Sequence, residues 1–145
     1  MKHRSLDEIR TEAKVAHAAT LTKREKLDRW AKILSDLDGK LLATLPSVEY
    51  MAKADRLELR RDNSAISVAF ADPILRGAGL RDDTYGGALA FFELSHSELH
   101  RLTCRCHFGQ NAPADRVARR VSGVSSSFAV RAGQVWSRLT TAFAR

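Results

Sequence analysis

Helix-start signatures recur along this chain and constrain its fold more than any other sequence feature. In a capping box, a Ser or Thr side chain accepts a hydrogen bond from the backbone N–H three residues later, and a Glu there bonds back to the cap. The chain has three such pairs: Ser5 with Glu8, Thr22 with Glu25, and Ser95 with Glu98. We therefore expect a helix to begin at each of these points.

Apolar residues follow these signatures with helical spacing. After Thr22 the stripe is Leu27, Trp30, Ala31, Leu34 and Leu37. This i, i+3, i+4, i+7 pattern is typical of a helix packed on a core. The helix opened by Ser95 is predicted to run from His96 to about Phe108, with Gly109 as its stop. Asp72 and Pro73 suit the cap and first position of a further, short helix, and two more helices are expected over residues 113–123 and 128–144.

Residues 57–70 allow two interpretations. Ile66, Val68 and Phe70 alternate as in a strand, and Leu57–Leu59 is the nearest strand candidate. Ser64 also suits a helix cap, and a lone two-stranded hairpin is only marginally stable. We expect a helix there, with a short β-hairpin near residues 57–70 as the alternative. The predicted fold is all-α: one compact multi-helix bundle of about six to seven helices spanning residues 1–145, with a basic C-terminal helical region at 111–145.

The composition places limits on the class of protein. A chain of 145 residues buries roughly 70% of its unfolded surface as one domain. No apolar run approaches the roughly 20 residues that a membrane span requires, and acidic residues near Met1 replace the apolar stretch of a signal peptide. These features predict a cytoplasmic protein with no membrane span and with Cys104 and Cys106 as reduced thiols.

Histidines and cysteines crowd into residues 96–107. On one continuous helix, His96 and His100 share a face with Cys104 at its edge, whereas Cys106 points into the apolar stripe about 200° from Cys104. A neighbouring pair from the set His96, His100 and Cys104 could ligate zinc, with further ligands from elsewhere. The alternative is a polar helix face with Cys106 in the core.

Net positive charge is confined to the last third of the chain. Residues 1–100 hold 16 Lys and Arg against 16 Asp and Glu, whereas residues 101–145 hold eight Arg and one acid, Asp115. The guanidinium group of arginine binds phosphate through two parallel hydrogen bonds and displaces counterions from nucleic acid. Five arginines are the candidate phosphate-contacting residues: Arg116, Arg119, Arg120, Arg131 and Arg138.

Other interpretations of the C-terminal helices stay open. The same arginines suit the solvated outside of a bundle. The last helix, with Phe128, Trp136 and Phe143, could dock on a protein partner, on a second copy of the chain or on a membrane surface. No pattern of catalytic residues stands out. The sequence therefore predicts a small non-enzymatic binding protein that contacts nucleic acid, with a zinc-binding or protein-interaction role as the alternative.

Overall fold

The computed structural model describes residues 21–127, and these residues form a helical fold with one small sheet. In chain order the elements are α1 (Lys23–Ser35), β1 (Leu41–Ala43), a 3₁₀ helix (Val48–Tyr50), α2 (Lys53–Glu58), α3 (Ala65–Ala71), α4 (Pro73–Gly77), α5 (Tyr85–Phe92), α6 (His96–Thr103), α7 (Arg105–Phe108), β2 (Asn111–Pro113), and α8, which is described over residues 114–127. The all-α prediction is confirmed. Within residues 21–127, no helix has the length and apolar character needed to cross a membrane.

Several predictions fall outside the described residues. These are the helix opened by Ser5 and Glu8, the predicted helix 128–144, and the candidate residues Arg131 and Arg138.

The predicted helix caps within the described range are confirmed. The Thr22 hydroxyl accepts from the Glu25 N–H at 3.2 Å, and the Glu25 carboxylate accepts from the Thr22 N–H at 2.7 Å. Ser95 and Glu98 form the same reciprocal pair at 3.1 and 2.8 Å. Asp72 caps α4, which has a proline at its start. Short-range hydrogen bonds therefore fix where these helices begin.

The alternative of a hairpin near residues 57–70 is wrong, because helices α2 and α3 occupy that stretch. Ser64 accepts from the Ser67 N–H at 3.2 Å and so caps α3. Ile66 and Ala69 are buried three residues apart, which is a helical period. The strand pair forms elsewhere: β1 pairs antiparallel with β2, with Leu42 opposite Ala112.

The core lies where α1, α3 and α5 meet. Trp30 stacks on Phe92 with ring centroids 4.4 Å apart, and its indole Nε1 donates to the Ala65 carbonyl at 3.0 Å. The hydrogen bond satisfies the one polar atom of a fully buried side chain. Other fully buried large side chains are Leu27, Leu34, Leu42, Leu45, Ile66, Leu75, Tyr85, Leu99 and Leu102.

A continuous helix from His96 to Phe108 is not observed, because the chain leaves the helical conformation at Cys104, where φ is −81° and ψ is 145°. The Leu45 N–H donates to the Thr103 carbonyl at 2.9 Å, and the Arg105 N–H donates to the Leu45 carbonyl at 2.8 Å. Leu45 is buried, so both of its backbone groups require protein partners. This pairing ends α6 and separates it from α7.

Candidate metal centre

The break at Cys104 brings four potential metal ligands together. Glu49, His100, Cys104 and Cys106 each offer one ligand atom, and these atoms all lie within 4.8 Å of one another. The expectation that the two cysteines point apart is therefore wrong, since it assumed one continuous helix. Cys104 is buried and Cys106 is exposed, so the predicted core position of Cys106 is wrong as well.

Three direct contacts connect the cluster. His100 Nε2 lies 3.1 Å from Glu49 Oε2. The Cys104 thiol donates to the same carboxylate oxygen at 3.6 Å, and Cys106 Sγ lies 3.6 Å from His100 Nε2. The side chains of His100 and Glu49 are 18% and 36% exposed, so the cluster sits at the protein surface with one buried member.

The segment that breaks the helix also positions Glu49. Leu45 pairs with the α6–α7 junction, and the 3₁₀ helix that carries Glu49 follows within a few residues. Ser47 adopts a left-handed conformation with φ of 33°, and Val48 is fully buried. The turn and the Val48 anchor direct the neighbouring carboxylate toward His100. No local sequence signal marks Glu49, because 51 positions separate it from His100.

The cluster perturbs the ionisation of its members. A hydrogen bond from its own backbone N–H and one from His100 lower the pKa of Glu49 below its usual value. Desolvation and a hydrogen bond with Cys104 raise the pKa of the Cys106 thiol to about 11. Without a metal ion, the cluster therefore combines an ionised carboxylate with a protonated Cys106 thiol at neutral pH.

His96 lies outside this group, although the sequence placed it beside His100 as a candidate ligand. Its Nδ1 is 2.8 Å from the Tyr85 hydroxyl, and its Nε2 is 3.5 Å from Nη1 of Arg56. Desolvation and the positive charge of Arg56 lower the pKa of His96. Both ring nitrogens thus face protein partners rather than the cluster.

His107 supports the His100 ring from the other side. Its Nε2 lies 3.1 Å from His100 Nδ1, and the two ring centroids are 5.0 Å apart. Desolvation and the neighbouring His100 lower the pKa of His107. Metal-bound histidines characteristically donate their second ring N–H to a nearby acceptor, which fixes the tautomer and the ring orientation. His107 Nε2 is placed to accept such a hydrogen bond from His100 Nδ1.

The candidate phosphate-contacting arginines in the described range lie on α8. Arg119 pairs with Asp115 at 2.9 Å and is 76% exposed. Arg120 donates to the Arg101 carbonyl at 2.9 Å and lies 4.1 Å from the Phe108 ring centroid; Arg116 lies 5.6 Å from the same ring. Another side of this helix is buried through Val117 and Val121.

Comparison of the chain with known protein families, with curated proteins and with solved structures finds no match. The arrangement of the side chains themselves is therefore the basis for a functional proposal.

Proposed function

We propose that this protein binds a zinc-class divalent ion through Glu49, His100, Cys104 and Cys106. The observation that carries the proposal is the convergence of these four ligand atoms within 4.8 Å. Thiolate, imidazole and carboxylate are the three ligand types that zinc takes in proteins. The two cysteines favour zinc over magnesium or calcium, which prefer oxygen ligands.

The distances support a tetrahedral site. Zinc bonds of about 2.0–2.3 Å place the corners of a tetrahedron roughly 3.3–3.8 Å apart. The three direct contacts in the cluster measure 3.1, 3.6 and 3.6 Å. Small side-chain adjustments bring the remaining pairs, which lie within 4.8 Å, to the same separation.

A site with four protein ligands is of the closed type that zinc uses for structural purposes. Here the ion connects the 3₁₀ helix to the α6–α7 junction, two segments that are distant in sequence. Because the ligands come together only in the folded chain, the free energy of metal binding adds to the free energy of folding. We therefore assign the ion a stabilising role at this junction.

Metal analysis of the purified full-length protein tests the proposal. We expect one zinc or cobalt ion per chain, with a cobalt absorption spectrum typical of tetrahedral coordination with thiolate ligands. His100→Gln and Cys106→Ser should each lower metal affinity strongly. His96→Gln is the matched control, since His96 lies on the same helix but outside the cluster, and its metal stoichiometry should stay at one. A wild-type protein that binds no metal above background contradicts the proposal.

We propose contact with nucleic acid as a second function, supported by the surface around Phe108. Arg116 and Arg120 both lie over this ring, and Arg120 also bonds the backbone of Arg101. Within residues 21–127, no carboxylate pairs with Arg101, Arg116 or Arg120. Guanidinium groups without an acidic partner can bind the phosphates of the nucleic-acid backbone, and these phosphate contacts dominate the affinity.

Fluorescence anisotropy with labelled duplex DNA and RNA, at low and physiological salt, tests this second function. Replacing Arg116, Arg119 and Arg120 by Glu should weaken binding uniformly across sequences and flatten its salt dependence. Replacing the exposed Lys40, Lys53 and Arg81 by Glu makes the same charge change elsewhere and should have a smaller effect. Equal affinity of the arginine variant and the wild type contradicts the assignment.

A further inference from the structure

A cleft of about 660 Å³ opens beside the metal cluster. Its volume falls in the range of roughly 300–1,000 Å³ that is typical of small-molecule sites. Residues from α1, α6, α7 and α8 line it, among them the basic Lys23, Arg101 and Arg120, the acidic Glu98, and the apolar Leu102 and Val124. Basic side chains thus outnumber the single acid, Glu98, among these residues.

Two arginines of the cleft, Arg101 and Arg120, are available to a ligand. No carboxylate of residues 21–127 forms an ion pair with Arg101 or Arg120. Glu98 already accepts the Ser95 N–H at 2.8 Å as part of the α6 capping box. An anion that enters the cleft therefore meets two arginines with no acidic partner in the described part of the chain.

Arg120 is held in place before any ligand arrives. Its Nη1 donates to the Arg101 carbonyl at 2.9 Å, and its guanidinium lies 4.1 Å from the Phe108 ring centroid. Desolvation lowers the pKa of Arg120, and repulsion from the positive charge of the nearby Arg116 lowers it further. A bound anion relieves this repulsion, and a fixed guanidinium loses little rotamer entropy on binding.

The cleft also has an apolar part. Both Leu102 and Val124 line the cleft, but Leu102 is only 1% exposed, so the partly buried Val124 provides the apolar surface that a ligand can reach. Gly123 beside them presents no side chain. Apolar lining with a few converging polar groups is the usual composition of a site for an organic ligand rather than a bare ion.

We propose that this cleft binds a small organic phosphate, with Arg101 and Arg120 contacting the phosphate and Val124 contacting the apolar part of the ligand. The assignment does not depend on metal in the neighbouring cluster. It shares Arg101 and Arg120 with the proposed nucleic-acid surface but uses the interior of the cleft, whereas Arg116 and Arg119 lie outside its lining.

Isothermal titration calorimetry of the full-length protein tests the proposal, with phenyl phosphate, inorganic phosphate and benzyl alcohol as probes. We expect phenyl phosphate to bind more tightly than either of the others, because it engages both parts of the cleft. The double variant Arg101→Gln with Arg120→Gln should weaken phenyl phosphate binding by about tenfold or more, since charge-assisted hydrogen bonds are lost.

The matched control is Lys53→Gln with Arg81→Gln, which removes two exposed positive charges outside the cleft and should leave the affinity unchanged. Circular dichroism and thermal melting establish that both double variants are folded. Absence of phenyl phosphate binding to the wild type overturns the proposal, as does equal affinity in the arginine variant. Equal affinities for phenyl and inorganic phosphate overturn the assignment of an organic ligand.

Discussion

The Tyr85 hydroxyl is the polar end of a fully buried side chain. It lies 2.8 Å from His96 Nδ1 and 3.2 Å from the His96 carbonyl. We expect Tyr85→Phe to destabilise the protein by about 1–2 kcal/mol at pH 8, because it leaves buried groups at His96 without this partner. Urea denaturation measures the change.

The same side chain gives the protein an alkaline pH dependence. Desolvation raises the pKa of Tyr85 to about 12, above its ordinary value of 10.0. The folded state therefore holds the phenol proton more tightly, and this stabilisation is fully present below pH 10 and lost as the pH rises toward 12. The stability difference between wild type and Tyr85→Phe should shrink at pH 11. An unchanged difference contradicts the assignment.

Cys106 should make metal binding depend on pH. Its thiol pKa of about 11 means that the sulfur is protonated at neutral pH and must lose its proton to ligate a metal. From this thiol alone, we expect apparent zinc affinity to rise about tenfold per pH unit between pH 6 and 8. Competition with a chelator across that range measures the slope, and Cys106→Ser should lower the slope. A slope equal to that of the wild type contradicts a role for this thiol.

Among the elements, α1 and α4 are joined by one partly buried ion pair. Arg29 donates to both carboxylate oxygens of Asp72 at 3.1 and 2.7 Å, and Asp72 also accepts the Leu75 N–H as the cap of α4. Desolvation opposes ionisation of this carboxyl, yet the hydrogen bonds from Arg29 and Leu75 lower its pKa below the usual value.

Asp72→Asn separates these two roles, since Asn also caps helices well. We expect a loss of about 1–3 kcal/mol in the free energy of unfolding at neutral pH, because Arg29 loses its charged partner. Asp36→Asn is the control: it removes the exposed pair with Lys32 and should cost less than about 0.5 kcal/mol. Equal losses in urea denaturation contradict the importance of the α1–α4 pair.

The elements also show which features local sequence can predict. Helix starts depend on bonds three residues apart, so Thr22, Ser64, Asp72 and Ser95 were identifiable without a structure. The break at Cys104 depends on Leu45, which lies far away in sequence, and no pattern within residues 96–108 indicates it. The pairing of β1 with β2 is of the same long-range kind.

At the scale of the whole molecule, the long-range pairing of Leu45 with Cys104 brings the residues of the candidate site together. His100 and Cys104 were identified from sequence as candidate ligands, whereas Cys106 was excluded by assuming a straight helix. Glu49 comes from a distant 3₁₀ helix, and only the folded chain brings it to His100. The basic character of α8 was readable from composition, but the cleft beside it depends on the packing of four helices.

Because the proposed metal ligands come from distant segments, zinc should stabilise the folded chain as a whole. At a free zinc concentration one hundred times Kd, binding contributes about 2.7 kcal/mol, which corresponds to a rise in Tm of roughly 5–10 °C for a chain of this size. Differential scanning calorimetry with zinc and with a chelator measures this difference. Because Cys106 is exposed, the Cys106→Ser variant should fold, and it should lose most of the zinc effect. His96→Gln should keep it, although the loss of the Tyr85 contact should lower its Tm without zinc. A zinc effect of wild-type size in Cys106→Ser would mean that the ion binds elsewhere.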